Sequence, residues 1–359
     1  MQPRAAEARA TTSWQTADAS NCRAAHQNVR AHKRGRGMFG WLRKKDWRNS
    51  PAHLLLLSKF RSGDSTDRYR GAEYWETVLK EKPLKVIEQF LKEGVLEPAG
   101  LQELVDYKFK VSDLKPMLKE RGLKISGRKE ELIQRLIEND EQSMRDATKG
   151  LDIYRCTKEG MRLAEHYLEG EKAKRDAAER DVVDLLVRKE FSKAVRIVAQ
   201  YETYQIFPRG LGIDWKDYDV EPGVESLKII FERTPEILKD IEEDRLDKLR
   251  LSAAMMQLWG INIAGRWLPD DFETGSRLDS DAACRMFVFY AAHLRNMAGY
   301  KEARVKTVEV SSVDDGNTCA ECQKIGGKKY KVESVPELPY AKCTCDIGCR
   351  CTTIVGDFQ

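Results

Sequence analysis

Long apolar runs are missing from this 359-residue chain. No stretch approaches the roughly 18 residues that span a bilayer, and no apolar core of roughly 7–15 residues follows the first basic residues as in a secretory signal. Histidine is scarce, with five in all (His26, His32, His53, His166 and His293), and aromatics make up only 8%. No P-loop, Ser/His/Asp set or paired-carboxylate motif stands out, which leaves enzyme chemistry without a visible carrier. Charged residues are abundant instead, at 33%. That composition suits a soluble, mainly helical protein with room for two or three domains.

The net charge of +4 is unevenly spread. Residues 1–37 hold seven Lys/Arg against Glu7 and Asp18, so the other residues sum to about −1. A nucleic-acid surface on the body of the chain must therefore be local. Residues 1–37 lack apolar periodicity and read as a disordered basic tail. A DNA-contacting arm, an Arg-rich transit segment and translated sequence upstream of a start at Met38 all fit it; the Met38-Phe39-Gly40-Trp41 run favours the last.

The basic residues gather again in Phe109–Asp140, FKVSDLKPMLKERGLKISGRKEELIQRLIEND. Leu114 and Leu118 stack at i,i+4 on a first short helix, which Gly122 stops in a left-handed C′ position. Leu132 with Leu136 and Ile133 with Ile137 give a second helix its apolar face, with Ser126 or Gly127 as N-cap. Pro116 early in the first helix delays or distorts its start if Ser112 is the N-cap. Residues 109–138 carry eight Lys/Arg and five Asp/Glu. Arg128 and Lys129 oppose the macrodipole at the second helix's N-terminus, an arrangement that a bound phosphate would turn favourable. A solvated hairpin packing on its neighbours is the plainer alternative.

This segment resembles the SAP motif, the small helix–extended–helix module of many chromatin and DNA-repair proteins. Val111, Leu114, Leu118, the Arg121-Gly122-Leu123 corner, the Ser126-Gly127-Arg128-Lys129 turn and Glu131-Leu132-Ile133-x-Arg135-Leu136 carry the resemblance. It implies binding to the backbone of double-stranded DNA, with a weak preference for A·T-rich duplex. The implied contacts are Lys119, Arg121, Lys124, Arg128, Lys129 and Arg135, with the backbone at Ser126 and Gly127 approaching closely.

Six of the nine cysteines fall near the C-terminus: Cys319-x2-Cys322, twenty residues, then Cys343-x-Cys345-x3-Cys349-x-Cys351. Such spacing brings thiolates onto one tetrahedral ion, and no histidine lies in the box, so zinc in a structural, all-thiolate site is the leading reading. Six thiols exceed four ligand positions. Either two are spare or two metals share bridging sulfurs; three disulfides and an Fe–S cluster remain alternatives. Cys22, Cys156 and Cys284 are isolated and read as inert or buried. The pattern Asp314-Asp315-x-x-Thr318-Cys319-x-x-Cys322, Gly327-x-x-Tyr330, Pro336-x-Leu338-Pro339, Cys349-Arg350-Cys351 resembles the C-terminal region of phage head-morphogenesis (minor head) proteins. That family has a histidine three positions before the final Cys-Arg-Cys; here Asp346 stands there, and Cys343 and Cys345 are extra.

The resulting organisation is a helical region at 38–108, the SAP-like motif at 109–143, a charged helical region at 144–206, a helical domain at 207–310 and a cysteine-rich zinc module at 311–359. The Gly/Pro-punctuated Phe207–Gly212 segment marks a boundary. Leu251–Ile263 and Ser280–Met297 are the core helices of the later domain. The charge run at 171–181 reads as solvated surface, Asp270, Asp271 and Glu273 as turn chemistry, and His293 as a packing residue. The chain thus reads as a non-enzymatic DNA-binding protein, cytoplasmic and nucleoid-associated in a bacterium or nuclear in a eukaryote. A phage-derived assembly protein, with self-association, is the alternative, and a DNA-tethered enzyme of unknown chemistry the second.

Overall fold

The computed structural model describes residues 46–358 except Leu211. The readings of residues 1–37 as a basic tail, of Met38 as a start and of Cys22 as inert lie outside the described residues. The chain divides into two compact units, one ending at Asp176 and one beginning at Ala177. As the composition implies, the architecture is mainly α, with thirteen α-helices and two small sheets among the described residues.

In the first unit, α1 (Pro51–Lys59) buries Leu55, Leu56 and Leu57. Strand β1 (Asp64–Ser65) follows, then α2 (Glu73–Leu79) and α3 (Pro83–Lys92). Proline at the first turn of α1 and α3 costs nothing, because that N–H has no intrahelical partner. Val86, Ile87 and Phe90 form the buried face of α3, and Gly94 at φ +70° turns the chain into β2 (Leu96–Pro98). Four helices then run as one excursion: α4 (Leu101–Lys108), α5 (Val111–Glu120), α6 (Lys129–Asn139) and α7 (Glu141–Thr148). The chain returns to β3 (Ile153–Cys156), which pairs antiparallel with both β1 and β2. The hairpin is therefore inserted between two neighbouring strands of one sheet. The sheet had no counterpart in the sequence reading, since strands of two to four residues leave no alternation to detect.

The boundary between the units falls within the long α8 (Lys158–Val187), inside the charged region 144–206. In the second unit, α9 (Phe191–Thr203), α10 (Glu221–Glu232), α11 (Glu243–Trp259) and α12 (Ser280–Glu302) bury one continuous core around Leu227, Leu249, Met255, Trp259, Met286 and Phe287. Of the two helices expected there, Ser280–Met297 lies within α12, whereas Leu251–Ile263 overlaps α11 only as far as Trp259, where Gly260 in the left-handed conformation ends the helix. The charge run differs from expectation: Glu179 is buried and takes Arg266 Nε at 2.9 Å. Arg209 is held in the same way. Buried Glu202 accepts from Arg209 Nε at 2.5 Å, and Arg209 donates onward to the Leu258 carbonyl at 2.8 Å. A buried carboxylate left without such a hydrogen-bonded partner would be costly.

Strand β4 (Val305–Ser311) crosses the 310/311 division drawn on the sequence and is central in the second sheet. Helix α13 (Ala320–Ile325), β5 (Lys329–Lys331) and β6 (Thr352–Phe358) complete it, both strands pairing antiparallel with β4. A bulge between Val305 and Val308 interrupts the β4–β6 ladder.

His293 lies buried on α12, and burial pushes its pKa from 6.5 down to about 4. The folded form keeps this imidazole neutral while the unfolded chain protonates it below about 6.5. Its contribution is therefore complete above the unfolded pKa and is lost as pH falls from about 6.5 to about 4. Chemical denaturation of the wild type and of His293→Leu between pH 7 and pH 4 should show the wild type losing more stability, by on the order of 2–3 kcal/mol. Equal slopes would refute the assignment.

Candidate nucleic-acid interface and metal centre

The hairpin is built on a core of Leu114 and Leu118 from α5, Leu132, Ile133 and Leu136 from α6, Val105 from α4 and Met144 from α7. Helix α5 begins at Val111, with Lys110 as N-cap and the Asp113 carboxylate accepting from the Lys110 N–H at 2.8 Å. Lys110 rather than Ser112 is the N-cap, so Pro116 sits inside the helix instead of at its start and removes one backbone bond there. At the other end Gly122 has φ +67°, with Leu123 N–H on the Leu118 carbonyl at 2.8 Å and Gly122 N–H on the Lys119 carbonyl at 3.1 Å. This is a Schellman stop, and Leu123 packs into the core beside it.

Helix α6 starts later than expected. Arg128, not Ser126 or Gly127, is its N-cap, and no side chain caps it. An arginine has no acceptor to offer first-turn amides, so those N–H groups look outward to solvent or a ligand. Gly127 at φ +130° brings the chain in close; a Cβ there would fall 2.3 Å from Glu131 Oε2.

The six expected cationic contacts divide into two groups. Arg121 reaches Asp140 at 2.9 Å, Ser143 Oγ at 3.1 Å and the Met117 carbonyl at 3.1 Å, tying α5 to α7. This hydrogen bond is the main reason the Asp140 carboxyl lies below the usual range. Lys129 bonds Asp106 of α4 at 2.8 Å, and Arg135 bonds the Lys124 carbonyl at 2.7 Å. Lys119, Lys124 and Arg128 are exposed, Arg128 by 83% of its side chain, with only a 3.5 Å approach to Glu131. Ser126 and Gly127 are exposed beside them. The sequence reading passed over Ile125, a large apolar side chain left 45% exposed between Lys124 and Ser126. Its only sequence signal is that it falls between the two helical periodicities.

In the second unit the cysteine box folds around α13. Cys319 is the helix N-cap and Cys322 lies in its first turn. Cys343 and Cys345 follow a turn closed by Cys343 N–H on the Tyr340 carbonyl, and Gly348 at φ +83° redirects the chain to Cys349 and Cys351. The sulfurs of Cys319, Cys322, Cys343 and Cys345 all lie within 4.8 Å of one another, as do those of Cys322, Cys349 and Cys351. Around one zinc with tetrahedral Zn–S bonds, sulfurs sit about 3.8 Å apart, so the first set fits a single ion. No pair of the described cysteines is joined as a disulfide.

Backbone N–H groups are aimed at these sulfurs: Thr344 N at Cys319 Sγ (3.2 Å), Cys319 N at Cys345 Sγ (3.2 Å), Cys345 N at Cys343 Sγ (3.4 Å) and Tyr340 N at Cys349 Sγ (3.3 Å). Donors of this kind stabilise thiolates and orient them as ligands. Burial opposes ionisation at Cys319, yet the donors from Cys322 and Thr344 bring its thiol down to about 5. Burial and the neighbouring Cys349 push Cys322 up. Sharing a hydrogen with Cys349, together with burial, does the same to Cys343. Several thiolates so close repel one another, and a bound cation removes that obstacle.

The support around the box is extensive. The Arg277 guanidinium donates to the carbonyls of Cys343 and Cys345, at 2.5 and 2.7 Å, and Met286 Sδ accepts from Cys349 N–H at 3.3 Å. Arg350 clasps Asp315 through two bonds of 2.6 and 2.8 Å, which hold that carboxyl well below its usual range. Cys156 and Cys284 are buried elsewhere, each thiol pushed up to about 12 by burial. Asp270, Asp271 and Glu273 are exposed, and both groupings that could hold a metal among the described residues are of cysteine.

Residues 108–141 match the family model of the SAP domain. This is the finding that directs the hairpin toward nucleic acid. No curated protein and no solved structure matches the chain. None of these comparisons supports the resemblance of the cysteine box to phage head-morphogenesis proteins.

The division of the cations is open to a direct check. Arg121→Ala should lower the thermal midpoint of the first unit, because it unties α5 from α7, whereas Arg128→Ala should leave it unchanged. Paired differential scanning calorimetry on full-length proteins reads both; an Arg128→Ala loss as large as that of Arg121→Ala would contradict the assignment.

Proposed function

We propose that the chain is a non-enzymatic protein that holds double-stranded DNA by the phosphate backbone through the SAP hairpin. The observation that carries the reading is the uncapped N-terminus of α6, flanked by exposed Arg128, Lys124 and Lys119 and by the bare Ser126–Gly127 backbone. Free amide N–H groups with exposed cations beside them form an anion site, and a phosphate there completes the helix end that no side chain completes. Arg121, Lys129 and Arg135 support this surface by fixing α7, α4 and the turn against it, and add positive potential from behind. Three or so phosphate contacts give weak, salt-sensitive, largely sequence-independent binding, which suits a tether. The A·T preference implied by the resemblance belongs to the same reading. The cysteine module serves as a structural zinc site that stabilises the second unit.

A second reading, a phage-derived assembly protein, has one observation in its favour. Asp315, Thr318, Cys319, Cys322 and Arg350, all from the pattern shared with head-morphogenesis proteins, converge in one module, with Arg350 bonding both Asp315 and Thr318. That reading expects a defined oligomer, which light scattering behind a sizing column would detect; a monomer at micromolar concentration would count against it.

DNA binding itself is tested by fluorescence anisotropy of a labelled 25-bp duplex with the full chain. Affinity should fall steeply between 50 and 200 mM salt, and Lys124→Ala/Arg128→Ala should weaken binding while reducing the log–log salt slope by about 2. Binding at low salt that is indifferent to the double substitution would remove the hairpin from the interface.

A further inference from the structure

The proposed structural zinc site accounts for four thiols, yet the fold gathers six together, five of them buried and Cys319 half-buried. Cys349 and Cys351 are 0% and 6% exposed, as enclosed as Cys343 and Cys345. They are not dispersed around the first four. Cys349 Sγ lies 4.0 Å from Cys322 Sγ, and Cys351 closes a second triangle on that same Cys322. The Cys343 thiol, already one of the first four, is also in hydrogen-bonding contact with both Cys322 and Cys349. Cys322 is common to both groupings; Cys343 belongs to the first and also reaches Cys349, while Cys319 and Cys345 belong to the first alone.

We infer that the box is a two-metal, six-thiolate cluster in which Cys322 and Cys343 bridge two zinc ions. One ion is completed by Cys319 and Cys345 and the other by Cys349 and Cys351. The inference rests on the zinc reading above and deepens it. Each ion then has four sulfur ligands, which is the closed set of a structural site. Six thiols give up six protons to solvent as two divalent ions bind, leaving a cluster of net charge −2, the same as one ion with four thiolates.

A second, independent feature concerns Cys349. A single ion held by the first four leaves it as a spare thiol. Its sulfur nevertheless accepts the Tyr340 N–H at 3.3 Å, as Cys319, Cys343 and Cys345 accept backbone N–H groups of their own. Its own N–H is engaged by Met286 Sδ, so α12 helps fix the position of Cys349. The supporting bonds extend across both halves of the cluster, as expected if both halves ligate metal.

The test is a metal count on full-length protein produced in zinc-supplemented medium, by mass spectrometry of the metal against amino-acid analysis. The expected result is two zinc ions per chain, falling to one in Cys349→Ser/Cys351→Ser. Exchange into cadmium-113 should give two resonances that couple to each other through the shared sulfurs in an NMR spectrum. One zinc per wild-type chain overturns the cluster and leaves the single-ion reading in place; none overturns both. Because the wild-type count decides between these outcomes, the test holds even if the double variant fails to fold.

Discussion

Neither functional module of this protein can bury a core by itself, and that constraint organises the rest of the structure. The two helices of the hairpin offer five fully buried apolar side chains between them, Leu114, Leu118, Leu132, Ile133 and Leu136. They become a closed core only when Val105 of α4 and Met144 of α7 cover the remaining sides. The cysteine box is smaller still, with one helix of six residues. It leans on α12 through Met286 and on Arg277, and shares its core with the α9–α12 bundle. Borrowing its core this way leaves the hairpin with exposed cations, while the cysteine box sits within the core it shares.

The same dependence explains why the cations of the hairpin are not equivalent. A motif considered in isolation offers every lysine and arginine to a ligand. Within the fold, Asp140 and Asp106 lie in the segments that complete the core, and each takes one of those cations. Arg121 and Lys129 hold the four helices together as a unit, while Lys119, Lys124 and Arg128 extend from it. Partly exposed pairs of this sort contribute modestly to stability, but they fix side chains that would otherwise sample many rotamers. They give the hairpin a defined geometry behind the exposed cations.

Much of the helical architecture was legible in the sequence, because an i,i+4 repeat such as Leu114/Leu118 or Leu132/Leu136 has no other simple reading. The stop at Gly122 was legible for a similar reason, since a left-handed residue after a helix favours glycine. Other features were hidden. The N-cap of α6 falls on Arg128, a residue type that makes no cap, so the usual search for Ser or Gly placed it too early. The first sheet is built from strands too short to show a period. Strand β4 does alternate, in Val305-Lys306-Thr307-Val308-Glu309-Val310, but the neighbouring helical sequence drew it into a helical domain. The buried Glu179–Arg266 and Glu202–Arg209 pairs were out of reach, because a charge run gives no sign of which members turn inward.

The two candidate sites share an electrostatic logic of opposite sign. At the start of α6, free amides and cationic side chains converge where the helix macrodipole is already positive, which is unfavourable until an anion arrives. At the cysteine box, six sulfurs are brought together with N–H donors aimed at four of them, which is unfavourable for thiolates until a cation arrives. A fold that begins a helix on arginine and gathers six thiols together leaves local stability unrealised at both places, which a bound anion at the first and a bound cation at the second would recover. The difference lies in reversibility. Phosphate contacts at an exposed helix end exchange with salt ions and solvent, whereas a metal enclosed by buried sulfurs becomes part of the folded state. The hairpin is thus suited to transient contact, and the cysteine module to holding the second unit in one conformation.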